Sequence, residues 1–128
     1  MVTSELLVGA WLLEAFEDID ADGQVTDLPL GEDPTGILLY LPDRYMSVMM
    51  TRSGTGESEI LGYSGRWRIE NGHLVHHILV SSRPDWAGTR QRRFVELRGD
   101  RLSINAAETG SDRFPRRVVR WRRAPEDD

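Results

Sequence analysis

The chain has 128 residues, the size of one domain that can bury a core of its own, with 29% charged residues and a formal net charge of −5. It contains no cysteine and no lysine, so all sixteen basic residues are arginine. These absences exclude disulfides, thiol nucleophiles, thiolate-bound metals, lysine Schiff bases and a P-loop lysine.

Short runs of alternating apolar and polar residues, separated by turn residues, occur along the whole chain and predict β-structure. Strands are predicted at 8–19, 24–28, 36–41, 45–51, 63–69, 73–81, 90–97, 101–106 and 116–123. The pair Asn71-Gly72 is a hairpin signal between two of them. Short helical turns are expected at most near residues 5–13 and at 59–62, and the segments 52–58 and 107–115 are expected to be loops.

Eight or nine strands at this spacing predict an all-β fold, and closure into a barrel removes exposed strand edges. We therefore expect one antiparallel up-and-down β-barrel of about eight strands, formed by a single domain over residues 1–128. Its core is expected at about 7–122, followed by a polar tail at 124–128.

The charges are distributed unevenly along the chain. Residues 1–43 contain ten acidic and no basic residues, whereas residues 44–128 contain sixteen arginines and eleven acidic residues. Such asymmetry can mark a nucleic-acid surface, but the arginines are spread over several segments and the total charge is acidic. We expect the two sections to pair with each other, and we expect no nucleic-acid partner.

No apolar stretch approaches the roughly 18 residues of a membrane-spanning helix, and the N-terminal residues lack the basic region of a signal peptide. The expectation is a cytoplasmic protein without a membrane partner, either a monomer or a homodimer.

Several short motifs resemble one bacterial family. Gly9-Ala10-Trp11 resembles the G-x-W signature of lipocalins, and four further pieces in matching order resemble the bacterial lipocalin-like domain family. These pieces are PLGEDPTG at 29–36, YLPDRYMS at 40–47, His76-His77, and PDWAGT at 84–89. The likeness extends from Leu7 to about Arg122.

This resemblance implies a barrel with an internal cavity for a small apolar molecule. It also implies an arginine stacked on the G-x-W tryptophan, for which Arg117 or Arg120 are candidates. Members usually have a longer segment after the Tyr-Met-Ser strand than the 52–61 segment found here, so the mouth is expected to be more open or to lack a lid.

Side-chain alternation along the strands predicts which residues face the interior. On 73–81, the more apolar face has Leu74, His76, Ile78 and Val80. His76 therefore points inward, either as a hydrogen-bonded core residue or as a group that exchanges a proton near neutral pH. His77 points outward, so the two histidines do not form a chelating pair, and no metal is expected.

Two further polar residues are predicted on otherwise apolar faces. Arg93 shares a face with Val95, where a guanidinium needs a partner because an unpaired buried charge is costly. That partner is a ligand carboxylate or enolate, a backbone carbonyl, or the ring of Trp11. Tyr63 shares a face with Gly65 and Trp67, where the glycine suits a bulge or a ligand edge.

The remaining candidate ligand contacts are aromatic or apolar. They are Tyr40, Tyr45, Met46, Val48, Trp67, Ile78, Val95 and Trp86. Tyrosine hydroxyls suit a polar group on an apolar ligand, methionine supplies adaptable apolar surface, and Trp86 is expected to close the barrel.

Two functions fit these residues. One is a cofactor-independent cyclase or isomerase acting on a polyketide-like or terpenoid-like substrate, as the resemblance implies for some small barrels of natural-product pathways. In that hypothesis Arg93 and Tyr63 polarise a carbonyl and His76 moves a proton. The alternative is a non-catalytic carrier of a small hydrophobic molecule. The sequence lacks the G-x-S-x-G, H-E-x-x-H and G-x-G-x-x-G motifs, so triad hydrolysis, zinc proteolysis and nicotinamide chemistry are poorly supported.

Overall fold

The computed structural model describes residues 2–52, 60–105 and 116–125, which form nine antiparallel strands with a short helix and a 3₁₀ turn. Helix α1 spans Ser4–Leu7 and the 3₁₀ turn spans Pro84–Trp86. The strands are β1 Gly9–Ile19, β2 Val25–Asp27, β3 Thr35–Tyr40, β4 Tyr45–Thr51, β5 Ile60–Glu70, β6 His73–Ser81, β7 Arg90–Arg98, β8 Arg101–Asn105 and β9 Arg116–Arg123.

Eight of these strands close into a barrel. Each pairs with its neighbour in the order β1-β3-β4-β5-β6-β7-β8-β9, and β9 pairs back with β1 from Trp11 opposite Arg123 to Ile19 opposite Arg116. The short β2 pairs with the last residues of β1 and stands outside this ring. The predicted eight-stranded antiparallel barrel is confirmed.

The segment 59–62 was predicted to form a helical turn, and that prediction is wrong for its described residues. β5 begins at Ile60, and Leu61 and Gly62 pair with Met50 and Met49 of β4. The strand is longer than its alternating core suggested because its first residues continue the ladder with β4. The predicted loop at 107–115 and most of the 52–61 segment lie outside the described residues.

One end of the barrel is closed by α1 and by the start of β1. Trp11 is fully buried there, and its indole Nε1–H donates to the carbonyl of Leu7 at 3.0 Å. The Arg123 guanidinium lies 4.2 Å from the centre of the Trp11 ring and donates to the carbonyls of Val8 and Leu6. These contacts attach the first turn of the chain to its last strand.

The arginine that stacks on Trp11 is therefore Arg123, and the candidates Arg117 and Arg120 were wrong. Trp11 pairs directly with Arg123 across the β1–β9 ladder, whereas Arg117 and Arg120 pair with Asp18 and Ala15 further along β1. Arg93 likewise lies on a strand that does not adjoin β1.

The acidic N-terminal section and the arginine-rich C-terminal section meet across this closure. Arg101, Arg117 and Arg120 form ion pairs with Glu14, Asp18 and Glu17, respectively. This confirms that the two oppositely charged sections pair with each other. Within the described ranges, no helix is long and apolar enough to cross a membrane.

A β-bulge changes the pattern of side chains on β6. Ser64 pairs with Val80 and Gly65 pairs with Ile78, so Leu79 is an extra residue on β6. Gly65 is required at this point, since a Cβ there would lie 1.9 Å from the carbonyl oxygen of His77. The bulge predicted as one role of Gly65 is thus present. It also reverses the alternation beyond Ile78, so Val80 is exposed and its predicted inward position is wrong.

Candidate functional site

The barrel contains a cavity of about 160 Å³ at the end opposite α1. Its mouth lies where β4 ends, where β5 and β9 begin, and beside the 3₁₀ turn. The wall is mostly apolar, with a few polar side chains. The lining residues are Phe16, Leu38, Val48, Met50, Leu61, Tyr63, His76, Trp86, Gln91, Arg93, Ile104, Arg117, Val119 and Trp121. A cavity of roughly 150 Å³ is enough to hold a benzene ring.

The centre of the polar wall is a hydrogen-bonded row of three side chains. His76 is buried, and its Nε2 lies 2.7 Å from the Tyr40 hydroxyl while its Nδ1 lies 2.7 Å from the Tyr63 hydroxyl. Tyr40 on β3 has no exposed surface and packs its ring 4.6 Å from that of Trp67. Tyr63 on β5 lines the cavity. The row therefore runs from the core to the cavity surface.

Burial shifts the proton affinities in this row away from neutrality. Desolvation, assisted by the positive charge of Arg93, lowers the pKa of His76 to about 3. Desolvation raises the pKa of Tyr63 to about 12 although Arg93 opposes it, and desolvation also raises the pKa of Tyr40 well above its usual value. All three side chains are therefore neutral at physiological pH.

Arg93 brings a positive charge to the wall. Its Nη1 donates to the carbonyl of Arg92 at 2.9 Å and its Nη2 donates to Oε1 of Gln91 at 2.8 Å. Among the described residues, no carboxylate pairs with Arg93. Of the partners predicted for Arg93, the structure thus supplies a backbone carbonyl, together with the amide of Gln91. A guanidinium has five N–H donors, so donors remain for a ligand.

The mouth is formed by aromatic and charged side chains. Trp86 packs edge-on against Tyr63, with ring centres 6.2 Å apart, and Arg83 lies over its ring. On the opposite side, the Arg117 guanidinium lies 4.8 Å from the centre of the Phe16 ring and pairs with Asp18. Trp86 stands at the rim of the mouth, and its role in closing the barrel stays a prediction.

The structure places five of the predicted site residues in the cavity wall: His76, Arg93, Tyr63, Val48 and Trp86. Tyr40 contacts the site indirectly through His76. Met46, Trp67 and Ile78 are buried in the core but do not line the cavity, and Val95 packs at the edge of the core.

Tyr45 was predicted to contact a ligand, but it does not line the cavity. It lies on the outer surface with 45% of its area exposed, and the Arg66 guanidinium covers its ring at 4.6 Å. Tyr45 is the first residue of β4, and its neighbour Met46 takes the inward position instead. Tyr40, at the end of β3, faces inward on the other side of the same turn.

Most of the wall residues that the sequence did not single out are apolar: Phe16, Leu38, Met50, Leu61, Ile104, Val119 and Trp121. Strand alternation could have predicted that these side chains point inward. It could not predict at which level along the barrel axis the cavity lies, because that depends on side-chain packing. Trp121 is distinctive, because its indole N–H is buried with no hydrogen-bond partner among the described residues. In those same residues, no group of three or more histidine or acidic side chains is arranged to hold a metal ion.

The depressed pKa of His76 predicts an acid-sensitive fold. A histidine that is neutral when folded, with a pKa of about 3, takes up a proton only on unfolding once the pH falls below about 6.5. Protonation of the unfolded chain therefore does not lower the free energy of unfolding above pH 6.5. It lowers that free energy progressively as the pH falls from 6.5 towards 3. We expect the free energy of unfolding to drop by about 2 kcal/mol more between pH 7 and pH 5 than in a His76→Gln variant. Urea titrations of both proteins at the two pH values measure this difference, and equal pH dependence contradicts the buried neutral state.

Comparison with known proteins gives two matches. A family model described as a lipocalin-like domain matches residues 8–59 and 56–124. A 4'-hydroxy-3'-methoxypropiophenone carrier protein of Aspergillus oryzae is 32% identical over 91 residues, a match that covers 57% of this chain and 80% of that protein.

Proposed function

Because the chain belongs to the lipocalin-like domain family, we propose that its barrel binds a small hydrophobic organic molecule and carries or sequesters it without changing it chemically. The observation that carries this proposal is the cavity of about 160 Å³, apolar over most of its wall and open at one end. Small-molecule sites have this character, with apolar walls and a few polar groups that fix orientation.

An aromatic ketone is the ligand class that the site suits best. A single ring fits the volume, and substituents can extend between Trp86 and Arg117 at the mouth. The side chains of Tyr63 and Arg93 offer hydrogen-bond donors to an oxygen of the ligand. The A. oryzae relative is named as a carrier of such a molecule, which supports the same class here.

Burial of the polar row, which moves its proton affinities away from neutrality, favours a carrier over the cyclase or isomerase that the residue types first suggested. General acid–base catalysis works best with a pKa near the working pH. His76, with a pKa of about 3, and Tyr63, with a pKa of about 12, are both far from it. A cofactor-independent cyclase remains the second candidate, because Arg93 beside Tyr63 is placed to polarise a carbonyl, which is one part of such a mechanism.

Direct binding of 4'-hydroxy-3'-methoxypropiophenone tests the proposal. We expect a dissociation constant of about 1–100 μM by calorimetry, as the size of the ligand allows. The ligand recovered after incubation should be chemically unchanged by liquid chromatography and mass spectrometry. A new product that forms only with folded protein would instead favour the enzyme.

A matched pair of variants locates the binding site. Val48 lies in the cavity wall, whereas its neighbour Met49 faces outward with 56% of its area exposed. Val48→Phe fills part of the cavity and should weaken binding at least about tenfold, at an overpacking cost of about 1–3 kcal/mol in stability. Met49→Phe adds a ring outside the barrel and should leave the affinity unchanged. Equal affinities for the two folded variants would place the ligand elsewhere.

A further inference from the structure

The row Tyr40–His76–Tyr63 has a direction that follows from counting its protons. With His76 neutral, the three side chains share two hydroxyl protons and one ring N–H proton. Two of these protons occupy the two 2.7 Å hydrogen bonds. The third must therefore lie on the tyrosine at one end of the row and point away from His76.

The two ends differ in what they can do with that proton. Tyr40 has no exposed surface and is not part of the cavity wall, and in the described part of the chain its hydroxyl bonds only to His76. A hydroxyl proton left there would be a buried donor with no acceptor, which costs far more than a satisfied one. Tyr63 lines the cavity, where a proton can meet solvent or a ligand. The Tyr40 hydroxyl therefore donates to Nε2, and the Nδ1–H of His76 donates to the Tyr63 oxygen.

We propose that Tyr63 donates its hydroxyl proton to a carbonyl oxygen of the bound molecule, and that Tyr40 enforces this direction by holding His76 as the Nδ1–H tautomer. This assignment rests on the proposed function for the presence of a ligand. It adds that the site selects a hydrogen-bond acceptor at this depth of the cavity and disfavours a ligand that offers a donor there.

The rest of the wall agrees with this polarity. Arg93 stands close enough to lower the proton affinity of Tyr63. The remaining N–H groups of Arg93 can also donate hydrogen bonds to an acceptor on the ligand. The side-chain oxygen of Gln91 is already occupied by Arg93. Among the described lining residues there is no carboxylate to receive a donor from a ligand. The polar part of the wall thus offers donors.

Two ligands that differ at one carbon atom measure the selectivity. 4'-Hydroxy-3'-methoxypropiophenone has a carbonyl where 2-methoxy-4-propylphenol has a methylene group. Tyr63→Phe removes the donor and should weaken binding of the ketone about 3- to 10-fold, as expected for one hydrogen bond, while changing binding of the propylphenol less than about 2-fold. Tyr40→Phe leaves the cavity wall intact but no longer holds His76 as the Nδ1–H tautomer. Like Tyr63→Phe, it should reduce the preference for the ketone over the propylphenol.

Nuclear magnetic resonance tests the tautomer without any ligand. Long-range proton–nitrogen correlation spectra of the uniformly ¹⁵N-labelled wild-type protein distinguish an Nδ1–H from an Nε2–H ring, and His73→Gln and His77→Gln variants identify the His76 signals. We expect the Nδ1–H tautomer in the free protein at pH 7.

The outcomes separate the two proposals. An Nε2–H ring at position 76, or a Tyr63→Phe variant that binds both molecules as wild type does, overturns the assignment of Tyr63 as donor. If the wild-type protein binds neither molecule while His76 is the Nδ1–H tautomer, the proposed ligand class fails and the direction of the hydrogen-bonded row stands.

Discussion

Replacing Trp11 with alanine is expected to lower the free energy of unfolding by about 3–5 kcal/mol, the usual cost of removing a large buried aromatic side chain. Trp11 has no exposed surface, its indole N–H bonds to Leu7, and Arg123 stacks on its ring. The substitution thus leaves a void and removes two of the contacts around this junction, the indole bond to Leu7 and the ring beneath Arg123. Urea denaturation followed by circular dichroism measures the loss.

Trp86→Ala is the matched control for this experiment. Trp86 is only partly buried at the rim of the mouth, where its main contacts are with Tyr63 and Arg83. We expect its removal to cost about 1 kcal/mol in stability and to affect binding more than folding. Similar losses for the two tryptophans would contradict the assignment of Trp11 to the closed end.

Gly65→Ala should destabilise the fold by about 3 kcal/mol or more, although it adds a single methyl group. The new Cβ would lie 1.9 Å from the carbonyl oxygen of His77, and that oxygen belongs to a backbone held between two strands. This clash can be relieved only if the bulge at Leu79 opens, and that movement would displace β6 beside His76. Thermal and chemical unfolding measure the effect.

Ser64→Ala tests whether the effect belongs to this one position. Ser64 precedes Gly65 on β5, is partly buried, and loses only a hydrogen bond to Ser47 on substitution. Its expected cost is about 1 kcal/mol. A Gly65→Ala protein as stable as Ser64→Ala would show that the strands separate easily at the bulge.

The architecture could be predicted from the sequence because its signals are local. Alternation and turn residues gave the predicted strands at 36–41, 45–51 and 73–81, which correspond to the observed Thr35–Tyr40, Tyr45–Thr51 and His73–Ser81. Strand parity placed His76, Tyr63 and Arg93 inside the barrel, and all three line the cavity. Polar residues on apolar faces were therefore the useful signal for the site.

The wrong predictions concern features that depend on the pairing of strands that are distant in the sequence. Val80 was assigned inward because alternation takes no account of an extra residue such as Leu79. Arg123 was overlooked as the partner of Trp11 because the register of β9 against β1 is set by closure of the whole barrel.

The bond between Tyr40 and His76 was unforeseen for a similar reason. These residues lie on β3 and β6, which are separated in the sheet by β4 and β5, so the contact crosses the barrel interior. No spacing along the chain encodes a contact of this kind.

The contacts between α1 and the end of β9 have a practical consequence for immobilising the protein on a surface. The backbone N–H of Ala124 donates to the carbonyl of Ala10, so the described chain leaves the barrel beside the point where it enters. Both points lie at the end opposite the cavity mouth. A tether attached just before α1 or just after β9 would accordingly hold the barrel by its closed end, with the opening turned towards the solution.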